Sequence, residues 1–168
     1  PHESDPAHKY KCAYGPAKPP NGACLAYSPD GFRWTPYNDG KPVTGRAADT
    51  FNQLLWDEEA QVYRLYTRTD FGPGGGLGEN RGTRDMTNPD VKVDPTAWKI
   101  IRNWHFDREG PQEWQRRQPH HLNGWIYEGI HFGLVCAYEW FGQNAGKYNQ
   151  PGGVEVQEFY IVTTRGDA

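Results

Sequence analysis

The sequence has no excess of basic charge and no long apolar segment, and each absence excludes a class of protein. Its 168 residues carry 18 Lys and Arg against 21 Asp and Glu, for a net charge of −3. This balance, without a basic run, argues against nucleic acid as the main partner, because phosphate backbones are bound by clustered cations. A helix needs about 20 apolar residues to span a bilayer, and no stretch reaches that length, so we expect no membrane partner.

Cysteine is also scarce, with only Cys12, Cys24 and Cys136 in the chain. Their spacing suits no zinc site, so the sequence predicts no metal ligand set. Cys12 and Cys24 fall on two predicted neighbouring strands of one hairpin. They therefore either form a disulfide or are, like Cys136, small buried side chains.

Glycine, proline and aromatic residues are plentiful by contrast. The chain has 20 Gly, 14 Pro, seven Trp and ten Tyr, which favours many short strands joined by tight turns. Residues 45 to 68 show this most clearly, with an apolar segment Phe51–Trp56, a polar turn Asp57–Gln61 and a strand-forming segment Val62–Thr67. We therefore predict an all-β protein.

A similar order of elements recurs three times along the chain, over residues 1–44, 45–106 and 107–168. In the first copy, strands Tyr10–Tyr14 and Gly22–Tyr27 precede a turn at Ser28–Gly31 that has the proline and glycine such turns favour. The third copy contains the apolar stretch Trp125–Tyr138 and continues through Val154–Thr164. Repetition at this period is typical of β-propellers and solenoids, so the sequence predicts one domain of about three blade-like repeats.

Four segments carry a resemblance to a known group: Ser28–Trp34, Asp49–Asp57, Tyr63–Arg68 and Trp125–Gly129. They look like the five-bladed β-propeller glycoside hydrolases, in particular uncharacterised bacterial relatives of families 32 and 43. The resemblance implies antiparallel four-stranded blades of a partial β-propeller. Because a five-bladed ring needs roughly five such repeats, we expect a segment of a longer chain or a homo-oligomer. The chain begins with Pro1, which fits processing, and the resemblance implies an extracellular or periplasmic location.

Two carboxylates are the candidate catalytic groups. In that superfamily, acidic residues on the first strands of successive blades point into a central funnel. By the resemblance, Asp49 corresponds to the residue that stabilises the transition state and Glu128 to the general acid. The neighbours of Glu128 are apolar and aromatic, so its burial would raise its pKa, as a proton donor needs. The alternatives are a turn-capping role for Asp49 and a structural salt bridge for Glu128.

Six further residues are candidates for contact with a sugar. Indole rings stack on sugar rings, guanidinium groups bind hydroxyls or carboxylates, and a histidine can line the funnel. The candidates are Arg46, Trp56, Arg116, Arg117, His121 and Trp125. The simpler alternatives are packing for the tryptophans and a structural role for the histidine. We expect no cofactor; a calcium ion occurs in some members of the superfamily, but no ligand loop for it is legible here.

Two functions follow from these observations. The first is a glycoside hydrolase-like activity on a poly- or oligosaccharide, with a carboxylate general acid and a transition-state stabiliser. The second is a non-catalytic carbohydrate-binding or assembly module that kept the strands and lost the chemistry. In both, carbohydrate is the expected partner.

Overall fold

The computed structural model describes residues 3–16, 22–45, 51–70, 81–104, 117–139, 152 and 156–165. Their regular structure is β-strand apart from two short 3-10 turns, Pro6–His8 and Asn38–Gly40. Among these residues no helix has the length and hydropathy needed to cross a membrane. The predicted all-β class is therefore confirmed for the part of the chain that the structure describes.

Ten strands lie within the described residues, and they form three antiparallel sheets of three or four strands. The first sheet has the order β1-β2-β3, the second β4-β5-β6-β7 and the third β10-β9-β8. In each sheet, strands that follow one another in the chain are hydrogen-bonded neighbours, as in a meander. The strands are β1 (Tyr10–Tyr14), β2 (Cys24–Ser28), β3 (Thr35–Pro36), β4 (Gln53–Asp57), β5 (Val62–Asp70), β6 (Arg81–Asn88), β7 (Lys99–Trp104), β8 (Arg117–Tyr127), β9 (Ile130–Glu139) and β10 (Val156–Arg165).

The stretch Trp125–Tyr138 is a β-hairpin, and Glu128, which was expected on a strand, lies in its turn. Strand β8 ends at Tyr127, Glu128 and Gly129 form a two-residue turn, and β9 begins at Ile130. Both turn residues have positive φ, 50° for Glu128 and 71° for Gly129, which is the geometry of a type I′ turn. The turn went unrecognised because Glu-Gly is not among the usual Asn-Gly or Asp-Gly pairs and apolar residues flank it on both sides.

The turn predicted at Ser28–Gly31 is confirmed. The Ser28 hydroxyl accepts hydrogen bonds from the backbone N–H of Asp30, at 3.2 Å, and of Gly31, at 2.8 Å. The Asp30 carboxylate accepts from the backbone N–H of Phe32 and of Arg33, each at 2.9 Å. Gly31 has a φ of 79°, a conformation that a residue without a Cβ adopts readily.

The chain divides into two compact units. The first comprises residues 1–67 and 85–101, and the second comprises residues 68–84 and 102–168. The core of the first unit is a buried cluster, with Leu54, Trp56 and Trp98 among the half-buried side chains against it. The buried members are Leu25, Tyr37, Val43, Tyr63 and Val91.

A buried ion network crosses three neighbouring strands within the first unit. Arg64 on β5 donates from Nε to Asp57 Oδ2 on β4, at 2.6 Å, and from Nη1 to Asp85 Oδ2 on β6, at 3.1 Å. All three residues are buried. Asp57 also accepts from the backbone N–H of Glu59 and of Ala60, so the same carboxylate holds the β4–β5 turn. Each buried carboxylate is thus paired with the guanidinium of Arg64, and a buried charge requires such a partner because water cannot solvate it.

We expect Arg64→Met to lower the free energy of unfolding by about 3–5 kcal/mol, because it leaves two buried carboxylates without their cation. Urea denaturation measures the change. The matched control is Arg33→Met, which removes a guanidinium 87% exposed in its pair with Asp30 and should cost less than about 1 kcal/mol. Equal losses in the two variants would show that Arg64 contributes no more than a surface charge.

A second ion cluster lies within the first unit and joins Glu3, at the start of the described chain, to Lys11 and Lys92. The Glu3 carboxylate accepts from Lys11 Nζ at 2.7 Å and from Lys92 Nζ at 2.8 Å. It also accepts from the backbone N–H of Asp5, at 2.9 Å. Burial disfavours the charged form of Glu3, but these hydrogen bonds outweigh it and lower its pKa from 4.5 to about 2.

The lowered pKa of Glu3 predicts a pH-dependent contribution to stability. A carboxylate whose pKa is lower in the folded state stabilises that state above its unfolded pKa and loses the effect as the pH falls. The difference in unfolding free energy between the wild type and Glu3→Gln should therefore be constant above about pH 5 and shrink from about pH 4.5 toward pH 2. Denaturant titrations across this range measure it. A difference that does not change with pH would contradict the prediction.

Candidate functional site

One face of the third sheet carries the exposed aromatic side chains of Trp125, Tyr127 and Phe159. Residues directly opposite in an antiparallel pair share a face, and Trp125 lies opposite Phe132 while Tyr127 lies opposite Ile130. On the other side of β9, Phe159 lies opposite Cys136 and Ile161 opposite Leu134. We call the exposed part of this surface the aromatic face; its residues are Trp125, Tyr127, Phe132, Phe159 and Ile161.

The side chains of the aromatic face are open to solvent to an unusual degree. Trp125 is 45% exposed and Ile161 71%. The Trp125 and Phe132 rings stack with their planes within 6° and their centroids 5.4 Å apart. A stacked pair of this kind holds both rings in a defined position before any ligand arrives. Contiguous exposed apolar surface of this sort marks a binding site more often than an ordinary surface does.

The opposite face of the same sheet is packed rather than open. Leu122, Val135 and Val162 lie there, and Leu122 and Val135 are buried. A Cβ built on Gly133 would come within 2.6 Å of Leu122 Cδ1 and 3.0 Å of Val162 Cγ2, so the strands approach closely at this glycine. An apolar cavity of about 190 Å³ adjoins this face. Its lining residues, all in the second unit, are Thr83, Trp104, Pro119, Leu122, Val135, Tyr160 and Val162.

A group of two histidines and a cysteine, of which His121 and Cys136 are buried and His120 is half-buried, lies further along the face that carries Trp125. Strand β8 has a bulge between Pro119 and His121, and His121 lies opposite Cys136. Successive residues of a regular strand point to opposite faces, but the bulge brings the rings of His120 and His121 together, with their Nδ1 atoms 3.1 Å apart. We call these residues, His120, His121 and Cys136, the His–Cys cluster.

Aromatic rings pack against the His–Cys cluster, and two of its three residues are buried. Tyr138 packs its ring 5.3 Å from that of His120, and Phe159 lies 6.3 Å from His121, measured between centroids. Burial lowers the pKa of His121 and raises the pKa of the Cys136 thiol. Near neutral pH the imidazole of His121 is therefore neutral and the thiol keeps its proton.

Glu128 does not occupy the buried position that the sequence analysis assigned to a general acid. It stands at the tip of the β8–β9 hairpin with a positive φ and an exposed side chain. The neighbouring aromatic residues lie along the strands on either side and do not enclose it. Glu128 therefore lacks the buried environment that is expected for a proton donor.

The other predicted site residues are scattered over the chain. Trp56 is half-buried in the first unit, where it packs against the core with its ring centroid 5.0 Å from that of Tyr63; this fits the packing alternative, and its contact with a sugar stays a prediction. Arg117 pairs with Glu139 through the backbone of β8 and β9. His121 and Trp125 share one face of the third sheet. Outside the described residues lie Asp49, Arg46 and Arg116.

The sequence left open whether Cys12 and Cys24 form a disulfide or are buried free thiols, and the structure decides between these alternatives. All three are free thiols. Cys12 lies opposite Ala26 and Cys24 opposite Tyr14, so the two are offset by two pairs along the β1–β2 register. Cys24 and Cys136 are fully buried, as expected for small apolar side chains, and Cys12 is half-buried.

Several residues of this face were missed from the sequence. Phe132, Cys136 and Phe159 join it only through strand pairing, which the sequence analysis did not predict here. The available signal was Glu128-Gly129 between two strand-forming segments, which permits a two-residue hairpin turn.

Comparison of the chain with protein-family models, curated proteins and solved structures gave no match. The resemblance to propeller glycoside hydrolases therefore stays a prediction.

The turn position of Glu128 predicts a stabilising substitution. A non-glycine residue with positive φ is strained by about 1–2 kcal/mol, and Asn tolerates this conformation better than Glu. We expect Glu128→Asn to raise the free energy of unfolding by roughly 0.5–1 kcal/mol, as measured by chemical denaturation. Glu58→Asn is the control, since Glu58 is also an exposed turn residue but is not among those with positive φ. A loss of stability in Glu128→Asn would contradict the turn assignment.

Proposed function

We propose that this protein binds a poly- or oligosaccharide without cleaving it, through the aromatic face of the third sheet. The observation that carries the proposal is the exposed Trp125 ring stacked on Phe132. Sugar rings present flat patches of C–H groups, and these pack on an indole by dispersion and by burial of apolar surface. Tyr127, two residues further along β8, extends the same surface and adds a hydroxyl for hydrogen bonding.

A strand surface suits an extended sugar chain. Side chains on one face recur every second residue, at about 6.6–6.8 Å along a strand, so Trp125 and Tyr127 form successive contacts in a row. Both residues belong to one regular strand, whose backbone is held by the ladder with β9. The surface is therefore preorganised, which lowers the entropic cost of binding.

The non-catalytic function is favoured over the glycosidase because of the position of Glu128. Hydrolysis needs a protonated donor near the leaving oxygen and a second carboxylate about 5–9.5 Å away. Such a donor is usually kept protonated by burial, whereas Glu128 is exposed on a hairpin tip. Binding of a sugar to the aromatic face, by contrast, requires no proton transfer.

The β-propeller interpretation remains part of the proposal at the level of sheets. Strands β1–β3 fall within the first sequence repeat, β4–β7 within the second and β8–β10 within the third. One meander sheet per repeat is what blades require, and this supports blade-like units completed by more chain or by further copies. An extracellular or periplasmic location is where a polysaccharide ligand would be met.

Binding should depend on Trp125. We expect Trp125→Ala to weaken binding by about tenfold, since a stacked aromatic contact contributes about 0.5–1.5 kcal/mol beyond its buried area. Affinity electrophoresis and pull-down on a panel of soluble and insoluble polysaccharides measure this. The matched control is Trp34→Ala, because Trp34 is 42% exposed but lies in the first unit.

Two results would overturn the proposal. One is an equal loss of binding in the Trp34→Ala and Trp125→Ala variants, or no binding to any member of the panel. The other is release of reducing ends by the wild-type protein that disappears in Glu128→Gln, which would establish the hydrolase instead.

A further inference from the structure

We propose that the His–Cys cluster is a binding site for a borderline or soft transition-metal ion of the Zn²⁺ class. One ligand atom from each of His120, His121 and Cys136 can be chosen so that all three lie within 4.8 Å of one another. Imidazole nitrogen and thiolate sulfur are the donors that Zn²⁺ and its neighbours prefer, whereas Mg²⁺ and Ca²⁺ take oxygen donors. The inference stands apart from the proposed sugar binding and does not depend on it.

The distances within the cluster suit a tetrahedral ion. Zn–N bonds of about 2.0–2.1 Å and Zn–S bonds of about 2.3 Å place two nitrogen ligands about 3.3 Å apart and a nitrogen and a sulfur about 3.6 Å apart. The two Nδ1 atoms are already 3.1 Å apart. Because the ligand atoms of the three residues all lie within 4.8 Å of one another, a closure of roughly 1.2 Å or less brings a nitrogen and the sulfur to this spacing.

The fold supplies these ligands from rigid positions. Cys136 lies on the central strand of the third sheet, paired on both sides with β8 and β10. The bulge in β8 is what allows two consecutive histidines to converge, and bulges commonly re-aim a side chain at a functional site. Ligands on paired strands are held more precisely than ligands on loops.

The proton balance of binding is simple. The Cys136 thiol loses its proton to solvent as the sulfur–metal bond forms, because the thiolate is the metal ligand. The proton that one Nδ1 donates to the other in the metal-free pair is replaced by the ion, and the donor ring becomes the Nε2–H tautomer through exchange with water. Three protein ligands leave a fourth position for water or an added donor, beside Gln157, whose Oε1 is 3.7 Å from Cys136 Sγ.

The site is testable with the metal alone on the full chain. Protein freed of metal by a chelator and kept reduced is titrated with Co²⁺, whose bond to a thiolate gives a charge-transfer absorption in the near ultraviolet. We expect this band to saturate at one Co²⁺ per chain, to be bleached by one equivalent of Zn²⁺, and to be absent in Cys136→Ser. Cys24→Ser, which removes the other fully buried thiol, should keep the band unchanged.

A second variant and a second readout keep the test decisive if Cys136→Ser folds poorly. His120→Gln changes a side chain that is only half-buried, and we expect it to weaken Zn²⁺ binding at least a hundredfold by calorimetry. Zn²⁺ should raise the melting temperature of the wild type and of Cys24→Ser, since a ligand of the native state stabilises it, but not that of His120→Gln. A band that persists in Cys136→Ser, an equal loss in Cys24→Ser, or no binding at micromolar free metal would overturn the proposal.

Discussion

The register of the β8–β9 hairpin is the constraint on which the functional part of the molecule depends. A two-residue turn at Glu128 and Gly129 sets which residues of the two strands oppose each other. Because side chains alternate with a period of two, a slip of one residue would send every side chain to the other face. The aromatic face would then be turned toward the packed side. The same register brings His121 opposite Cys136, so both proposed sites follow from one turn.

Buried polar groups are stabilised in different ways in the two units. In the first unit, Arg64 compensates the charges of Asp57 and Asp85 across three strands, which makes those positions intolerant of losing a partner. In the second unit, burial lowers the pKa of His121 and raises that of the Cys136 thiol, so both side chains favour their uncharged forms. A neutral group of donors carries no such charge penalty when metal-free, yet it can take up a cation by releasing one proton.

The two faces of the third sheet also differ, since one is packed and the other is exposed to solvent. One face packs Leu122 and Val135 against its own unit, while the other leaves Trp125 and Ile161 to solvent. Antiparallel sheets commonly have one face in the core and one in water, with polar residues outside. Here aromatic residues join exposed polar ones such as Thr163 and Arg165 on the outer face, and their presence there is what makes a binding role the better explanation of the surface. Trp125 and His121 lie four residues apart on one strand, about 13 Å by strand geometry, while Phe159 of the aromatic face lies next to His121.

The sequence by itself determined the all-β class, strand β1, the Ser28–Gly31 turn and the approximate bounds of β4 and β5, because these depend on local preference for extended backbone and tight turns. It also singled out Trp125 and His121. It misassigned Glu128, because the strained turn there has no usual signature and the apolar residues around it suggest a buried strand. Only the tertiary structure decided that Trp56 packs in a core, that Cys12 and Cys24 are not opposite each other, and that His120, His121 and Cys136 converge. Those outcomes depend on strand register and on a single bulge, which join residues distant in the chain and leave no periodic pattern within it.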